Sequence, residues 1–428
     1  MAMLNPLSHA FGIDIGDRAF KLAQFDKHNR RQKPYRLTAW SDIEVPEGVL
    51  DRGEIRDQEK AVELLKRLVQ EARGSLRGRA VVACLPEAKT FIKIIELPAE
   101  TSEEGTKEAV LREIEQNIPL PPDDIYFDWQ IMPSAPTVKP ESEPVEVEAD
   151  ENTPNATETD TNAVSPSAEE SPLPSGDEMA EKAAEKALPE LAFSEPSAEK
   201  SAIPPIRILL AAAPRNLVDN YVQTLELAGL APIALEIEAT AIARALIPDD
   251  APADEAVGIM DIGATRSSLM VFDGGAVQMS ISIPISGLEI TKMVSEALNV
   301  PMADAEIIKR ECGLDADRCE DKMWRILLPM IDDMTIKIRN ALRFYKIGFP
   351  LGKKIEKLCL CGGGAMFREI DTVLSRKLTI KVRRGDALVN VDPRLPRGFP
   401  KDTALTYATA IGLGLDAVDE NEKYRRTF

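Results

Sequence analysis

Residues Ile13–Asp26 read IDIGDRAFKLAQFD, and 247 positions later Met260–Asp273 read MDIGATRSSLMVFD. Each copy is a strand ending in Asp, then Ile-Gly, then a polar turn into a second strand that closes on Phe-Asp. That pattern predicts a β-hairpin with the glycine at its tip. The repeat makes Asp14 equivalent to Asp261, Gly16 to Gly263, Leu22 to Leu269 and Phe25 to Phe272. A glycine at a hairpin tip lets backbone N–H groups come close to an anion, and hydroxyls in the same turn add donors, so such a tip can cradle phosphate. Two tips facing each other can clamp one polyphosphate from both sides. The carboxylates at the strand ends then need a Mg²⁺ ion, or its waters, between them and the phosphates.

The chain of 428 residues is long for a single core, and the repeated hairpin predicts two related halves. A net charge of −19 excludes nucleic acid as the main partner. That charge is concentrated: residues 139–200 hold 17 acidic and 4 basic side chains, with eight prolines and one aromatic, Phe193. Such a segment cannot bury enough apolar surface to offset its ordering entropy, and it reads as a disordered acidic insertion. Cys84, Cys312, Cys319, Cys359 and Cys361 are too few and too scattered for a disulfide framework, which points to a reducing compartment. Cys359 and Cys361 share one face of a buried strand, and core packing accounts for them better than a zinc site. No apolar run is long enough to span a membrane and the first ten residues lack the layout of a signal peptide, so the expected location is cytoplasmic, without direct membrane insertion.

Between the hairpins the pattern alternates strands and helices. Tyr35–Val45, Ala80–Pro86, the run from Phe91, Ile125–Met132, the run from Arg207 and the stretch APIALEIE read as strands. Helices are predicted over Gln58–Ala72, from Ser102 to about Asn117, and over Arg215–Ala228 and Ala239–Leu246. After the second hairpin come helices at Gly287–Leu298, Ala303–Glu311 and Lys322–Lys346, then Met366–Leu374 and Leu405–Leu415. Residues 139–200 fall between two strand-like runs, so the insertion is expected to loop out between neighbouring strands of a small sheet. Ala408, Ala410 and Gly412 present a small face suited to close packing against a helix or a ligand.

The strand–glycine–helix junction CLCGGGAMF, with Gly362, Gly363 and Gly364, can place open backbone amides against a nucleotide, or can simply be a tight turn. In company with the two hairpins it reads as a third wall of one site. Taken in order, the IDIG hairpin, DIGATRSSLMVF and LCGGGAMF resemble the two phosphate loops and the adenosine motif of the superfamily that unites actin, heat-shock chaperone ATPases and sugar kinases. Within it the chain resembles the PilM family of type IV pilus assembly proteins. VVACLPEAKTFIKIIELP, EIEQNIPLPPDDIYFDWQIM and the stretch Ile208–Leu246 resemble that family's inserted subdomain and linker helix, while AEIIKRE and IRNALRFYK resemble two helices of its second domain.

This resemblance implies an α/β, actin-like fold: a duplicated, ribonuclease H-like two-domain ATPase architecture with an FtsA-type small α/β subdomain inserted. The expected division is 1–79 for the first part of domain I, 80–237 for the inserted subdomain, 238–256 for a linking helix region, 257–418 for domain II and 419–428 for a polar tail. It implies ATP and Mg as cofactors. Gly16, Asp17 and Lys21 belong by position to the first phosphate loop, Gly263, Thr265 and Ser267 to the second, and Gly362–Gly364 to the adenosine wall. Glu306 and Lys309 match the nucleoside-side helix, and Asp14 and Asp261 the carboxylates that hold Mg through water. The implied partners are the cytoplasmic N-terminal peptide of a PilN-like inner-membrane protein, other pilus platform proteins and a second copy of the chain.

The family's run of serines after the first IDIG is replaced here by Asp17, Arg18 and Ala19, which puts a carboxylate where hydroxyl donors are expected. Arg18 can offset that charge; otherwise the chain is a peptide-binding scaffold with little or no nucleotide affinity, at most a weak ATPase. Lys21 has an ordinary alternative as a solvated strand lysine. Two other functions share the fold. A small-molecule kinase needs a catalytic carboxylate facing a second substrate, for which there is no candidate. An FtsA-like filament former needs an amphipathic membrane-binding C-terminus, whereas AVDENEKYRRTF is short and polar.

Overall fold

Both repeated segments close in the same way: Gly16 N–H donates to Ala19 O at 3.2 Å and Gly263 N–H donates to Arg266 O at 2.9 Å. The computed structural model describes residues 9–28, 33–98, 101–118, 120–132, 205–252, 255–315, 317–349 and 352–427, and the acidic segment 139–200 lies outside them. Strands β1 (Phe11–Ile15) and β2 (Ala19–Lys27) form the first hairpin and are extended by β3 (Tyr35–Glu44). A short hairpin follows, β4 (Leu50–Asp51) and β5 (Glu54–Ile55), and β6 (Arg73–Gly74) adds an edge to β3. On the other side of β1 lie β7 (Ala80–Leu85) and, beyond it, β11 (Ala231–Ile237), both parallel.

The second half repeats this plan. Strands β12 (Ala256–Ile262), β13 (Ser267–Asp273) and β14 (Ala276–Ile283) form an antiparallel meander, and β15 (Ile355–Cys361) and β16 (Lys381–Arg384) run parallel to β12 on its other side. Each sheet therefore orders five strands as third, second, first, fourth, fifth, the first sheet adding β6 at its edge. This is the duplicated architecture expected from the repeat. Every residue of β7 is buried, as a parallel strand covered on both faces requires.

Helix α1 (Gln58–Gln70) starts where the Asp57 side chain accepts from Lys60 N–H at 2.9 Å, and it buries Ala61, Leu64, Leu65 and Leu68. Each buried leucine stabilises the fold by about 1.5–3 kcal/mol. Helix α3 (Arg215–Leu227) contributes Leu217, Tyr221 and Leu225 to the same core. The other principal core takes residues from both sheets and from α4 (Glu238–Leu246), the long α7 (Lys322–Gly348) and α9 (Ala408–Thr427). A Cβ on Gly412 would stand 1.8 Å from Ala241 O, so the small face around Gly412 serves helix-on-helix packing.

A separate three-stranded antiparallel sheet is made by β8 (Phe91–Leu97), β9 (Ile125–Ile131) and β10 (Ile206–Pro214), with β10 central. Helix α2 (Glu103–Asn117) lays Val110 and Ile114 on Ile95, Ile208 and Leu210. The insertion thus falls between two neighbouring strands, β9 and β10, as expected. The bounds of the small module differ from the sequence reading, which ran from 80 to 237. Strands β7 and β11 at its two ends hydrogen-bond into the large sheet: β7, apolar throughout and fully buried, lies in its parallel interior, and β11 forms the edge beside it.

Three local expectations also change. The helix expected from Met366 is a 3-10 turn over Gly363–Met366 followed by α8 (Ile370–Leu378). The one expected over Leu405–Leu415 starts as a 3-10 segment, Lys401–Tyr407, and α9 then continues to Thr427, taking in most of the expected polar tail. Cys312 and Cys319 form a disulfide, against the expectation of five scattered thiols. Gly313, at φ 61°, turns the chain sharply after α6 (Met302–Cys312) and keeps the two Cα atoms 5.9 Å apart.

Candidate functional site

Asp14 and Asp261 end the two central strands, and each has a thiol from the neighbouring fourth strand beside it. Cys84 Sγ donates to Asp14 Oδ1 at 3.7 Å, and Cys361 Sγ to Asp261 Oδ1 at 3.5 Å. Asp14 is 8% exposed, and burial pushes its pKa up to about 6 although Lys21 opposes the shift. Burial raises Asp261 as well, with further repulsion from Glu238 and Asp14. Lys21 is the register partner of Asp14 across the first hairpin, so it shares that face, and its ammonium lies 5.8 Å from the centre of the Tyr407 ring. The lysine is therefore a half-buried counter-charge to both aspartates rather than a solvated strand residue.

The two hairpin tips meet. Asp17 Oδ2 accepts from Thr265 Oγ1 at 2.5 Å, and Asp17 Oδ1 accepts from Gly53 N–H at 2.7 Å. The carboxylate that departs from the serine pattern is thus engaged with the hydroxyl expected to donate to phosphate, while Arg18 is exposed. Ser267 is placed elsewhere. It is fully buried and donates to Ile285 O at 2.5 Å, because it pairs with Ile262 on the core face, whereas Ser268 pairs with Asp261 on the site face.

Behind the second tip, the N-terminus of α5 (Gly287–Leu298) is pinned by Gly287 N–H to Gly263 O and Leu288 N–H to Ala264 O, both at 2.9 Å. Lys309 on α6 donates to Gly287 O at 3.0 Å and to Thr291 Oγ1 at 2.9 Å, and pairs with Glu306 at 2.6 Å. Burial works against the Glu306 charge, but hydrogen bonds from Lys309 and Thr291 outweigh it and hold the carboxyl below its usual range. The expected nucleoside-side pair is therefore attached to the second tip through Gly287. The three glycines divide. Gly362, at φ 77°, faces Asp261, where a Cβ would lie 2.3 Å from Oδ1, and a Cβ on Gly364 would lie 2.1 Å from Ile262 Cγ2. Gly363 alone faces open space. Two of the glycines are explained by packing against β12, and one leaves the wall accessible.

The groups at this place fit Mg-ATP in part. Two carboxylates raised by burial and by the charge of Glu238 suit a divalent cation that keeps its waters. Thr265, Lys21 and the tip amides suit phosphate, and Asp17 opposes it.

The type IV pilus assembly protein PilM family matches residues 12–151 and 191–418. The chain belongs to that family. Among solved structures it is similar to a PilM-PilN type IV pilus biogenesis complex, at 22% identity over 96% of this chain and 98% of that one, with a TM-score of 0.68. Cell division protein FtsA of Neisseria meningitidis serogroup B is 25% identical over 198 residues, 42% of this chain; the chain spans about half the length, 48%, of that relative. The fold is accordingly the actin-like one expected. Among the described residues, no helix of this PilM-family chain is long and apolar enough to cross a membrane.

Four residues at the site escaped the sequence reading. Glu87 follows β7 and is 7% exposed, and burial together with Glu238 pushes its pKa up to about 8. Its Oε1 accepts a short hydrogen bond from Ser280 on β14, while Oε2 has no hydrogen-bond partner among the described residues. Arg266, next to Thr265 in the second tip, pairs with Glu238 at 3.2 Å, and its Nη1 is likewise buried without a hydrogen-bond partner among the described residues. The pairing parity of β13 was the available signal for Ser268. Nothing local to residue 87 or 238 could announce contact with a tip 28 or more positions away.

Proposed function

We propose that this PilM-family chain is a cytoplasmic actin-like scaffold of the type IV pilus inner-membrane assembly platform. It binds Mg-ATP between its two hairpin tips and the cytoplasmic N-terminal peptide of a PilN-like membrane protein. The observation that carries the nucleotide half is the meeting of the duplicated tips through Asp17 and Thr265, with Asp14, Asp261 and Lys21 on the same side. In this reading Thr265, the tip amides of Gly16 and Gly263, and Lys21 hold the phosphates. Asp14 and Asp261 hold the waters of the ion, and Gly363 with Glu306 and Lys309 borders the nucleoside. Bound Mg²⁺ neutralises phosphate charge beside the two carboxylates. Cys84 and Cys361 orient those carboxylates through their S–H groups. Nucleotide then biases how the halves close, and any hydrolysis is slow.

For the partner, support comes from the family and from likeness over nearly the whole length to a PilM in complex with PilN. Strands β8 and β9 are the two edges of the small sheet, and an extended peptide added beside such a strand would gain main-chain hydrogen bonds and side-chain pockets. The test is co-sedimentation with lipid vesicles. The chain should stay in the supernatant with bare vesicles and pellet with vesicles carrying a membrane protein that has a short cytoplasmic N-terminal PilN-like peptide. Removing the peptide should release it. Binding to bare vesicles at physiological salt would instead favour an FtsA-like, membrane-bound filament former.

A further inference from the structure

Asp17 is hydrogen-bonded from two sides, by Gly53 and by Thr265. One of its oxygens is fixed by a rigid donor: Gly53 sits at the turn of the β4–β5 hairpin with φ 80°, and a Cβ there would overlap Pro86 Cβ at 2.2 Å. The same turn is tied from behind by the fully buried Tyr221, whose hydroxyl donates to Gly53 O at 2.6 Å. With Oδ1 held in this way, Oδ2 is aimed across the gap between the halves, at the hydroxyl of Thr265. That hydroxyl belongs to the tip whose backbone Gly287 and Leu288 in turn hold. A carboxylate oxygen accepting from a phosphate-loop threonine makes the contact that a phosphate oxygen would make.

We infer that Asp17 is an internal stand-in for phosphate, which ties the two tips together without nucleotide and which an incoming polyphosphate has to displace. This rests on the nucleotide reading proposed above for its second half only; the tie itself concerns the protein alone. Two consequences of opposite sign follow. Removing the carboxylate loosens the tips of the free protein, and it strengthens polyphosphate binding, because the hydroxyl is released and a negative charge leaves the site. A residue that merely repelled phosphate would do the second and not the first. A residue that merely packed would do the first and not the second.

The experiment has two arms. In the first, amide hydrogen exchange of residues 14–19 and 263–267 is followed without nucleotide in the parent, Asp17→Ala, Thr265→Ala and the double variant. Each single change should speed exchange by about fivefold or more, the ratio equivalent to losing one ordinary hydrogen bond. The double variant should be no faster than the faster single, because both remove the same bond. Unchanged exchange in Asp17→Ala, or additive effects in the double variant, would overturn the inference. In the second arm, calorimetry with Mg-ATP compares the parent, Asp17→Ser and Thr265→Ala. Asp17→Ser should bind about tenfold more tightly and Thr265→Ala more weakly. Equal affinity in parent and Asp17→Ser would overturn the displacement. Binding by none of the three, with the first arm as expected, would uphold the tie and sink the ATP reading instead.

Discussion

The two hairpin tips share a backbone and differ in chemistry. In both, the glycine N–H closes on the carbonyl three residues later, and in both an aspartate precedes it beside a buried thiol. Yet Asp17 stands where the second tip has Ala264, Arg18 where it has Thr265, and Lys21 where it has Ser268. One tip offers an acceptor and the other a donor, and they bond to each other. Duplication explains why the tips have one shape; divergence at three positions explains why they are complementary. Two identical donor-rich tips would have needed an anion to meet, whereas these meet directly.

The most damaging way to break the comparison is through the glycines. Gly362→Ala places a Cβ 2.3 Å from Asp261 Oδ1 at a residue with φ 77°, and should cost about 3 kcal/mol or more in urea unfolding. Gly263→Ala, with a Cβ 2.5 Å from Arg266 O, should cost about 2 kcal/mol, and Gly16→Ala, at 3.0 Å from Ala19 O, about 1 kcal/mol. Equal costs at Gly16 and Gly263 would mean that the two turns relax alike and that the second is not the tighter.

Next is the buried acid that follows β7 and bonds to Ser280 on β14. Glu87 ionises near 4.5 in an unfolded chain and at about 8 in the fold, so the folded state holds its proton across that interval. Its contribution to stability is fully present below pH 4.5 and is lost as pH rises toward 8. Glu87→Gln removes this titration and should flatten the decline, gaining on the order of 2 kcal/mol by about pH 6 relative to the parent. A variant whose stability follows the parent's pH profile would place the ionised carboxylate in contact with water or with Arg266.

Much of this was legible beforehand, for a physical reason. A strand's period of two and a repeated Asp-Ile-Gly carry through any sheet, so both hairpins, the duplication of the halves and the facing of the tips could be read from residues 13–26 and 260–273, whereas the order of the remaining strands is not contained in those residues. Ser267 was assigned to the second phosphate loop by its position in the motif, which does not say which face a strand residue occupies, and its pairing with Ile262 puts it on the core side. Glu87, Glu238 and Arg266 meet only after three separate elements fold, and the disulfide closes a loop turned by positive φ at Gly313 and at Cys319 itself. The module's bounds were drawn at 80 and 237 because β7 and β11 flank it in sequence, although hydrogen bonding gives them to the large sheet.

The smallest effect should come from the segment that separates β9 from β10. Those strands are adjacent and antiparallel, so replacing residues 139–200 by a short Gly/Ser linker joins neighbouring ends and should leave cooperative thermal unfolding unchanged within error. Loss of cooperativity would assign the segment a part in the fold.

Whether the two tips form one nucleotide site is decided by calorimetric titration with Mg-ATP of the parent, Asp17→Ser and Asp261→Ala side by side. One site predicts saturable, magnesium-dependent binding of one ATP per chain in the parent, tighter binding in Asp17→Ser, and none in Asp261→Ala. Undiminished binding in Asp261→Ala, or no saturable heat in either of the other two, would contradict it.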